Sequence, residues 1–163
     1  MEAPPQFFDF GEAEGHPGWY RWDLKDKSRF NWQALGPLRV RRDGEQCRLR
    51  MDVETRHTNL SDNIHGAATL GLIDIALFAG MHILTEQDAG MAVTLELNTQ
   101  FIGGGKVDRP IDVVVSVLRE TRRLLFLRGE VTQDKDTHLV AAFSGLVRTP
   151  SRRSAACWRD MNS

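Results

Sequence analysis

The chain contains 163 residues with a net charge of -1, and 41% of them are hydrophobic, which suits one globular domain with one core. The near-zero charge provides no field for attracting nucleic acid or an anionic membrane, so we expect neither as a partner. The two cysteines, Cys47 and Cys157, are typical of free thiols in a reducing compartment, and we predict a cytoplasmic protein.

The first 37 residues are rich in aromatic side chains, because eight of the thirteen aromatics of the chain precede residue 37. The opening MEAPPQFFDF has no basic stretch followed by an apolar core, so it does not resemble a secretory signal. We interpret residues 1–37 as an N-terminal arm, with a short helix near RFNWQALG, that closes an exposed sheet face or a subunit contact. Alternatively, residues 1–37 form a lid over a bound ligand.

From Leu38 the hydrophobic pattern has a period of two, which predicts a β-hairpin. Val40, Cys47, Leu49 and Met51 would point to one side, while the charged residues that alternate with them point to the other. The RRDGEQ segment contains the Asp-Gly pair that is typical of hairpin turns.

The stretch from Gly66 to Leu84 predicts one long helix, because it is too long and too rich in alanine for a strand. Asp62 and Asn63 are candidates for capping its start. Four strand-like segments follow, AVTLELNTQF, IDVVVSVLRE, RLLFLRGEVTQ and HLVAAFSGLVR, with DKDT as a turn between the last two. The GGGK segment lacks the spacing of a phosphate-binding loop, so we expect a flexible strand connection there.

This order of elements predicts an α+β fold in which an antiparallel β-sheet wraps around one long central helix. Residues 38–149 would form this domain, and residues 150–163 a loose tail. The helix is apolar on nearly every side, so it must be surrounded by the sheet and by neighbours. Asp74 and His82 interrupt its apolar run, which argues against a membrane span. One helix cannot cover both faces of such a sheet, so either the arm or a second chain covers the rest.

Asp74 is the one carboxylate in the predicted helix. An ionised carboxylate in apolar surroundings is destabilised by several kcal/mol unless it has a partner or reaches water. His65 is nine residues away, which places the two side chains on opposite sides of a helix and about 13 Å apart along its axis. A donor for Asp74 would therefore come from another copy of the chain, which favours a site between two subunits. The alternative is a hydrogen-bonded buried acid in a structural helix.

The start of this helix is suited to binding an anion or a developing oxyanion. The HGAA sequence places small residues on the first turn, where backbone N–H groups have no acceptor within the helix. Such groups, aided by the helix dipole, stabilise negative charge. A carboxylate and an oxyanion-stabilising helix start form a minimal set for the transfer of an acyl group to water.

The segment HTNLSDNIHGAATLGLID resembles the signature of the PaaI-type hotdog-fold acyl-CoA thioesterases, with Asn59 six residues before His65 and Asp74 nine residues after it. The resemblance extends through VTLELNTQF and the later strands but does not include the arm. It implies a hotdog fold, a homodimer or homotetramer, and hydrolysis of an acyl-CoA thioester to free acid and coenzyme A.

The same resemblance implies roles for individual residues. Asp74 would be the catalytic carboxylate, acting either as general base on water or as nucleophile. Gly66 would offer its backbone N–H to the thioester oxygen, and Asn59 would position that carbonyl group or the water, both from the opposite subunit. Thr94 matches a hydroxyl position that orients the attacking water in related enzymes. The alternative for Thr94 is a strand residue that faces solvent.

Three further residues are predicted to bind substrate. His65 and Ala67 belong to the motif at the helix start, and Phe78 lies on the helix, where its packing would help to set the depth of the acyl pocket. We expect His65 to act mostly through hydrogen bonds at the helix start. Ala67 replaces the second glycine of the family motif, and Asp62 replaces a glycine that is common three residues before the histidine.

Neither a metal site nor a redox cofactor is expected, because the histidines lack ligand spacing and the cysteines form no CxxC pair. Coenzyme A would enter only as part of the substrate.

Two alternative functions remain open. An enoyl-CoA hydratase on the same fold would need a histidine paired with an acid, and a non-catalytic acyl-CoA sensor would use the same pocket without turnover.

Overall fold

The computed structural model describes residues 7–85, 87 and 92–149, so the predicted tail and Cys157 lie outside the described residues. The strands are β1 (Phe8–Asp9), β2 (Tyr20–Arg21), β3 (Asp23–Leu24), β4 (Leu38–Asp43), β5 (Gln46–Met51), β6 (Val93–Phe101), β7 (Ile111–Glu120), β8 (Leu124–Gln133) and β9 (His138–Arg148). The helical segments are a π-helical turn at Asn31–Leu35, a 3-10 turn at Thr55–His57 and the long helix α1 at Gly66–Thr85.

Seven of these strands form one antiparallel sheet in the order β2-β4-β5-β7-β8-β9-β6, while β1 and β3 pair separately. The four strands after α1 confirm the predicted segments to within one residue at each end. The predicted α+β fold, with one antiparallel sheet around one long helix, is thus confirmed.

The helix α1 packs against one face of the main sheet and forms the centre of the core. Ten of its residues are buried, among them Leu72 and Leu77. Gly145 of β9 allows the close approach, because a methyl group on it would lie 2.7 Å from Leu77 Cδ1. By length and composition α1 could cross a membrane, but its packing inside the fold accounts for its apolar character. It begins at Gly66 as predicted and ends one residue beyond the predicted Leu84.

The strand β5 confirms the predicted alternation of side chains. Cys47 and Met51 are fully buried in the core, and burial raises the pKa of the Cys47 thiol. Arg48 alternates with them but is only 8% exposed, because its guanidinium donates to Asp112 at 3.0 Å and to Asp136 at 2.8 Å. The hydrogen bonds from Arg48 lower the pKa of Asp136 to about 2. The charged side of β5 therefore carries an ion-pair network rather than isolated solvated side chains.

The arm packs against both the sheet and the helix. Its strand β2 extends the main sheet by pairing Tyr20 with Val40. Trp22 is 2% exposed, and its ring centre lies 5.6 Å from that of His82 near the end of α1. The π-helical turn lies within the RFNWQALG segment, where the sequence predicts a short helix. The arm thus covers part of one sheet edge and one end of α1.

Candidate active site

Asp74 and Thr94 are in direct contact. Asp74 is half-buried near the middle of α1, and Thr94 is the second residue of β6. The Thr94 hydroxyl donates a hydrogen bond of 2.6 Å to Asp74 Oδ1. Such a short distance is typical of a hydroxyl group bound to an ionised carboxylate. In the described part of the chain Asp74 Oδ2 has no hydrogen-bond partner, so it is available to water or a ligand.

A β-bulge in β6 explains why Thr94 points to the helix. The register with β9 shifts between Thr94 and Glu96, which makes Leu95 an extra residue in the strand. Thr94 and Leu97 therefore both face the helix side, although residues three apart on a regular strand face opposite sides. The alternative in which Thr94 faces solvent is wrong for this reason.

Gly66 lies at the start of α1, where its backbone N–H points out of the helix. This N–H has no acceptor within the ranges that the structure describes. A methyl group on Gly66 would lie 3.4 Å from Phe101 Cζ at the other end of β6. The helix dipole adds partial positive charge at this position. The geometry suits a carbonyl oxygen on which negative charge develops.

His65 caps the helix, which corrects the prediction that Asp62 or Asn63 would do so. The Ala67 N–H donates to His65 Nδ1 at 2.9 Å. Because Nδ1 is an acceptor in this arrangement, neutral His65 carries its proton on Nε2. The side chain of Asn63 instead accepts a hydrogen bond from Lys106 Nζ at 2.9 Å. His65 and Ala67 are both exposed, and their part in substrate binding stays a prediction.

Asn59 folds the loop that precedes α1. Its Oδ1 accepts the backbone N–H groups of Ser61 at 2.9 Å and of Asn63 at 3.3 Å. Only the Nδ2 hydrogens of Asn59 are then left for a ligand. The predicted role of Asn59 in positioning a carbonyl group or a water would have to use Nδ2.

Asp62 adopts the left-handed backbone conformation, with φ of 55°. Glycine reaches this region without strain, which explains the glycine that is common here in the PaaI-type motif. We expect Asp62→Gly to raise the free energy of unfolding by about 0.5 to 1 kcal/mol. Asp62→Ala removes the same charge but keeps the strain, so it should give no gain. Chemical denaturation measures both variants, and an Ala variant as stable as the Gly variant would contradict the explanation.

The predicted residues form two clusters that lie apart within one chain. The Asp74 cluster consists of Asp74, Thr94 and Phe78, and the helix-start cluster consists of Asn59, His65, Gly66 and Ala67. Phe78 is half-buried one helical turn after Asp74, on the same side of α1. Gly66 precedes Asp74 by eight residues, or about 12 Å along the helix axis. One thioester carbonyl group cannot contact the Gly66 N–H and the Asp74 carboxylate of the same chain at once.

His57 supports the helix-start cluster, and sequence reasoning did not assign it a role. It is 2% exposed, its Nδ1 accepts the Glu54 N–H at 2.9 Å, and its carbonyl oxygen accepts the His65 N–H at 2.8 Å. Burial lowers the pKa of His57 and favours the neutral ring that accepts this bond. Its place two residues before Asn59 in HTN is the only signal in the sequence.

The GGGK segment also holds the helix start. The carbonyl oxygen of Gly105 accepts the Ile64 N–H at 2.9 Å. A methyl group on Gly105 would lie 2.7 Å from Ile64 Cδ1, and one on Gly104 would lie 2.8 Å from Asn63 Oδ1. These glycines allow a close backbone approach, so the segment is more than the flexible connection that we expected.

The main cleft on the surface of the described residues lies away from both clusters. A cleft of about 580 Å³ is bordered by Arg42, Glu45, Leu84, Ser116 and Glu120, and it includes no member of either cluster. Within residues 7–85, 87 and 92–149, no group of three His, Cys, Asp or Glu side chains is arranged to hold a metal ion.

Comparison with known proteins shows which proteins this chain resembles. The sequence profile of the Thioesterase superfamily matches residues 62–140, which include Gly66, Asp74 and Thr94. The matched segment is slightly less than half of the chain and shows a resemblance to the thioesterase superfamily. Acyl-coenzyme A thioesterase 13 from Homo sapiens is 26% identical to the chain over 91 residues, or 56% of this chain and 64% of that protein. The chain thus spans somewhat less than two thirds of this relative.

Solved structures share the fold of this chain. A mutant of the phenylacetic acid degradation protein PaaI from Thermus thermophilus is 24% identical, with a TM-score of 0.61 over 73% of this chain and 97% of that chain. A hypothetical thioesterase from Streptococcus pneumoniae, solved with coenzyme A, is 16% identical, with a TM-score of 0.64 over 73% of this chain and 90% of that one. The predicted hotdog fold and the resemblance to PaaI proteins are confirmed.

Proposed function

We propose that this protein hydrolyses an acyl-CoA thioester to a carboxylic acid and coenzyme A. The observation that carries the proposal is the 2.6 Å contact between the Thr94 hydroxyl and Asp74, which fixes a carboxylate with one oxygen free. The name of the human relative supports acyl-CoA as the substrate class, and the coenzyme A in the Streptococcus pneumoniae structure supports the same class.

The chemistry needs a base or nucleophile, an oxyanion site and an activated acyl group. Asp74 Oδ2 takes a proton from a water molecule that attacks the thioester carbon, or attacks that carbon itself to form an anhydride that water then opens. The carbonyl oxygen becomes an oxyanion and accepts the Gly66 N–H. The C–S bond breaks, and the coenzyme A thiolate takes up a proton. Thr94 holds the carboxylate in place through both steps.

Two copies of the chain complete the site in this proposal, because Gly66 and Asp74 of one chain are about 12 Å apart. The strand β6 is an edge of the main sheet, and its Val93 and Leu95 are 41% and 49% exposed. An exposed apolar edge is a surface for pairing with another strand. A second copy that pairs along β6 would place its helix start near Asp74. A homodimer, or a tetramer built from two dimers, and a cytoplasmic location stay predictions.

The hydratase alternative finds no support within the Asp74 cluster of one chain, which contains no histidine. Water addition to an enoyl group needs a histidine close to the acid, and within one chain His65 lies about 13 Å from Asp74 along the helix axis, so a hydratase would have to use His65 of a second copy. The sensor alternative predicts binding of acyl-CoA with no product formed. Mass analysis of a reaction with an enoyl-CoA distinguishes the three cases, because hydration adds one water and keeps the thioester.

Free-thiol release from a panel of acyl-CoAs tests the proposal directly. The panel contains acetyl-, hexanoyl-, palmitoyl- and phenylacetyl-CoA, each incubated with the full chain and followed with a thiol reagent. Release of coenzyme A from at least one member, in proportion to the amount of protein, is the expected result. No release from any member would reject the hydrolase, and tight binding without release would indicate the sensor.

A further inference from the structure

We propose that Phe30 of the N-terminal arm forms one wall of the acyl pocket and selects acyl groups long enough to reach it. The inference rests on the proposed function for the position of the thioester, but its geometry comes from the arm. The arm lies outside residues 62–140, which match the thioesterase superfamily, so that match assigns Phe30 no role.

Phe30 lies against α1 beside the Asp74 cluster. It directly precedes the π-helical turn, and a methyl group on Gly71 would lie 3.4 Å from Phe30 Cε1 and 3.7 Å from Leu35 Cδ1. Gly71 comes three residues before Asp74, so the two share one side of the helix about one turn apart. The absence of a side chain at Gly71 leaves the aromatic ring of Phe30 directly on the helix backbone.

The ring of Phe30 remains accessible although it contacts the helix. Phe30 is 64% exposed, and Leu70, the neighbour of Gly71, is 38% exposed. On the other side of Asp74, one turn further along, lies the half-buried Phe78. Along one side of α1, Asp74 therefore lies between Gly71, which Phe30 covers, and Phe78, and Phe30 is the more exposed of the two aromatic residues.

The position of the reacting carbon then sets which acyl groups reach Phe30. The thioester carbon must lie about 3 Å from Asp74 Oδ2, or one water molecule away. Gly71 is about 4.5 Å from Asp74 along the helix axis, a distance that several further carbon atoms span. An acetyl group is too short to reach the ring, whereas a hexanoyl chain lies on it and buries apolar surface. We therefore assign apolar acyl groups of medium length or longer as the substrate class.

The test compares two substrates in two variants. In Phe30→Ala we expect kcat/KM for hexanoyl-CoA to fall about tenfold, while kcat/KM for acetyl-CoA stays within about twofold of the wild type. Phe126→Ala is the matched control, because Phe126 is 37% exposed on β8 and alternates with Leu125 and Leu127 of the core. This control should change neither value. An equal effect of Phe30→Ala on both substrates, or no effect on either, overturns the inference.

A binding measurement separates this inference from the proposed function. Hexyl-CoA, a thioether that cannot be hydrolysed, should bind about tenfold more weakly to Phe30→Ala than to the wild type, while ethyl-CoA should bind equally to both. This pattern supports Phe30 as a wall of the pocket even when no thioester is hydrolysed. Intact hydrolysis together with equal affinities for hexyl-CoA rejects the role of Phe30 and leaves the hydrolase standing.

Discussion

Replacing Asp74 by Asn is expected to lower kcat for thioester hydrolysis by about 100-fold or more. The amide oxygen of Asn still accepts the Thr94 hydroxyl, so the contact that positions the side chain is kept. The amide cannot take a proton from water or attack the thioester carbon, so the chemical step is lost. Thiol release measures kcat. Thermal denaturation should give the same melting temperature for the variant and the wild type, which would show that the fold is kept.

The control for this experiment is Asp62→Asn. Asp62 is an exposed acid twelve residues before Asp74, and Asn tolerates the left-handed conformation that Asp62 adopts. This variant removes one negative charge near the site without touching the Asp74 cluster, so its kcat should stay close to that of the wild type. A rate for Asp74→Asn within about threefold of the control would mean that Asp74 is not the catalytic carboxylate.

A mixing experiment extends the test to the second copy of the chain. Gly66→Pro removes the N–H proposed to bind the oxyanion, and proline is well tolerated at the first position of a helix. Gly66→Ala keeps the N–H and is its control. Subunits of Asp74→Asn and Gly66→Pro, each inactive alone, should recover about a quarter of the wild-type turnover when they exchange into mixed dimers. No recovery in demonstrated mixed dimers would mean that Gly66 of one copy does not act together with Asp74 of the other.

Replacing Gly129 by Ala is expected to lower the free energy of unfolding by about 3 kcal/mol. Gly129 lies in the middle of β8 and pairs with Phe143 of β9, whose ring covers it. A methyl group on Gly129 would overlap the backbone oxygen of Val114 and lie 2.5 Å from Phe143 Cζ. A strand backbone cannot move aside as a flexible side chain can. We therefore expect a melting temperature about 10 °C lower.

The same substitution at Gly71 is the control. A methyl group there meets only ordinary contacts of 3.4 Å or more, and alanine is favoured over glycine in a helix by about 1 kcal/mol. Gly71→Ala should therefore be as stable as the wild type or slightly more so. Equal melting temperatures for Gly129→Ala and the wild type would show that β7 and β8 separate easily, contrary to their pairing in the sheet.

The fold could be predicted from the sequence because each element has its own local signal. The hairpin between β4 and β5 has the Asp-Gly pair, and Gly44 indeed has a positive φ of 63°. The helix α1 is indicated by the length and the alanine content of its segment. The later strands have alternating β-branched residues bounded by turns. The bulge at Leu95 had no such signal, because it depends on the register with β9 and not on β6 alone.

The candidate site could be predicted only in part. The motif spacing of Asn59, His65 and Asp74 pointed to the family, and the structure brings Asp74 and Thr94 together. The predicted capping residues were wrong. The loop before α1 is shaped by Gly104 and Gly105, which are close to it in space but distant in sequence. His57 was missed because a buried histidine that supports a turn has no pattern that distinguishes it from any other histidine.

The arm has a consequence for how copies of the chain can assemble. A sheet with two open edges can add copies at both ends and grow into a filament. Here β2 pairs with two of the six residues of β4, so β6 is the more open edge of the main sheet. Two copies that met through β6 would use the same surface on each side, and each would keep at its far end an edge that is partly covered by β2. In such a dimer, the aromatic arm would disfavour the addition of further copies at the outer edge of β4.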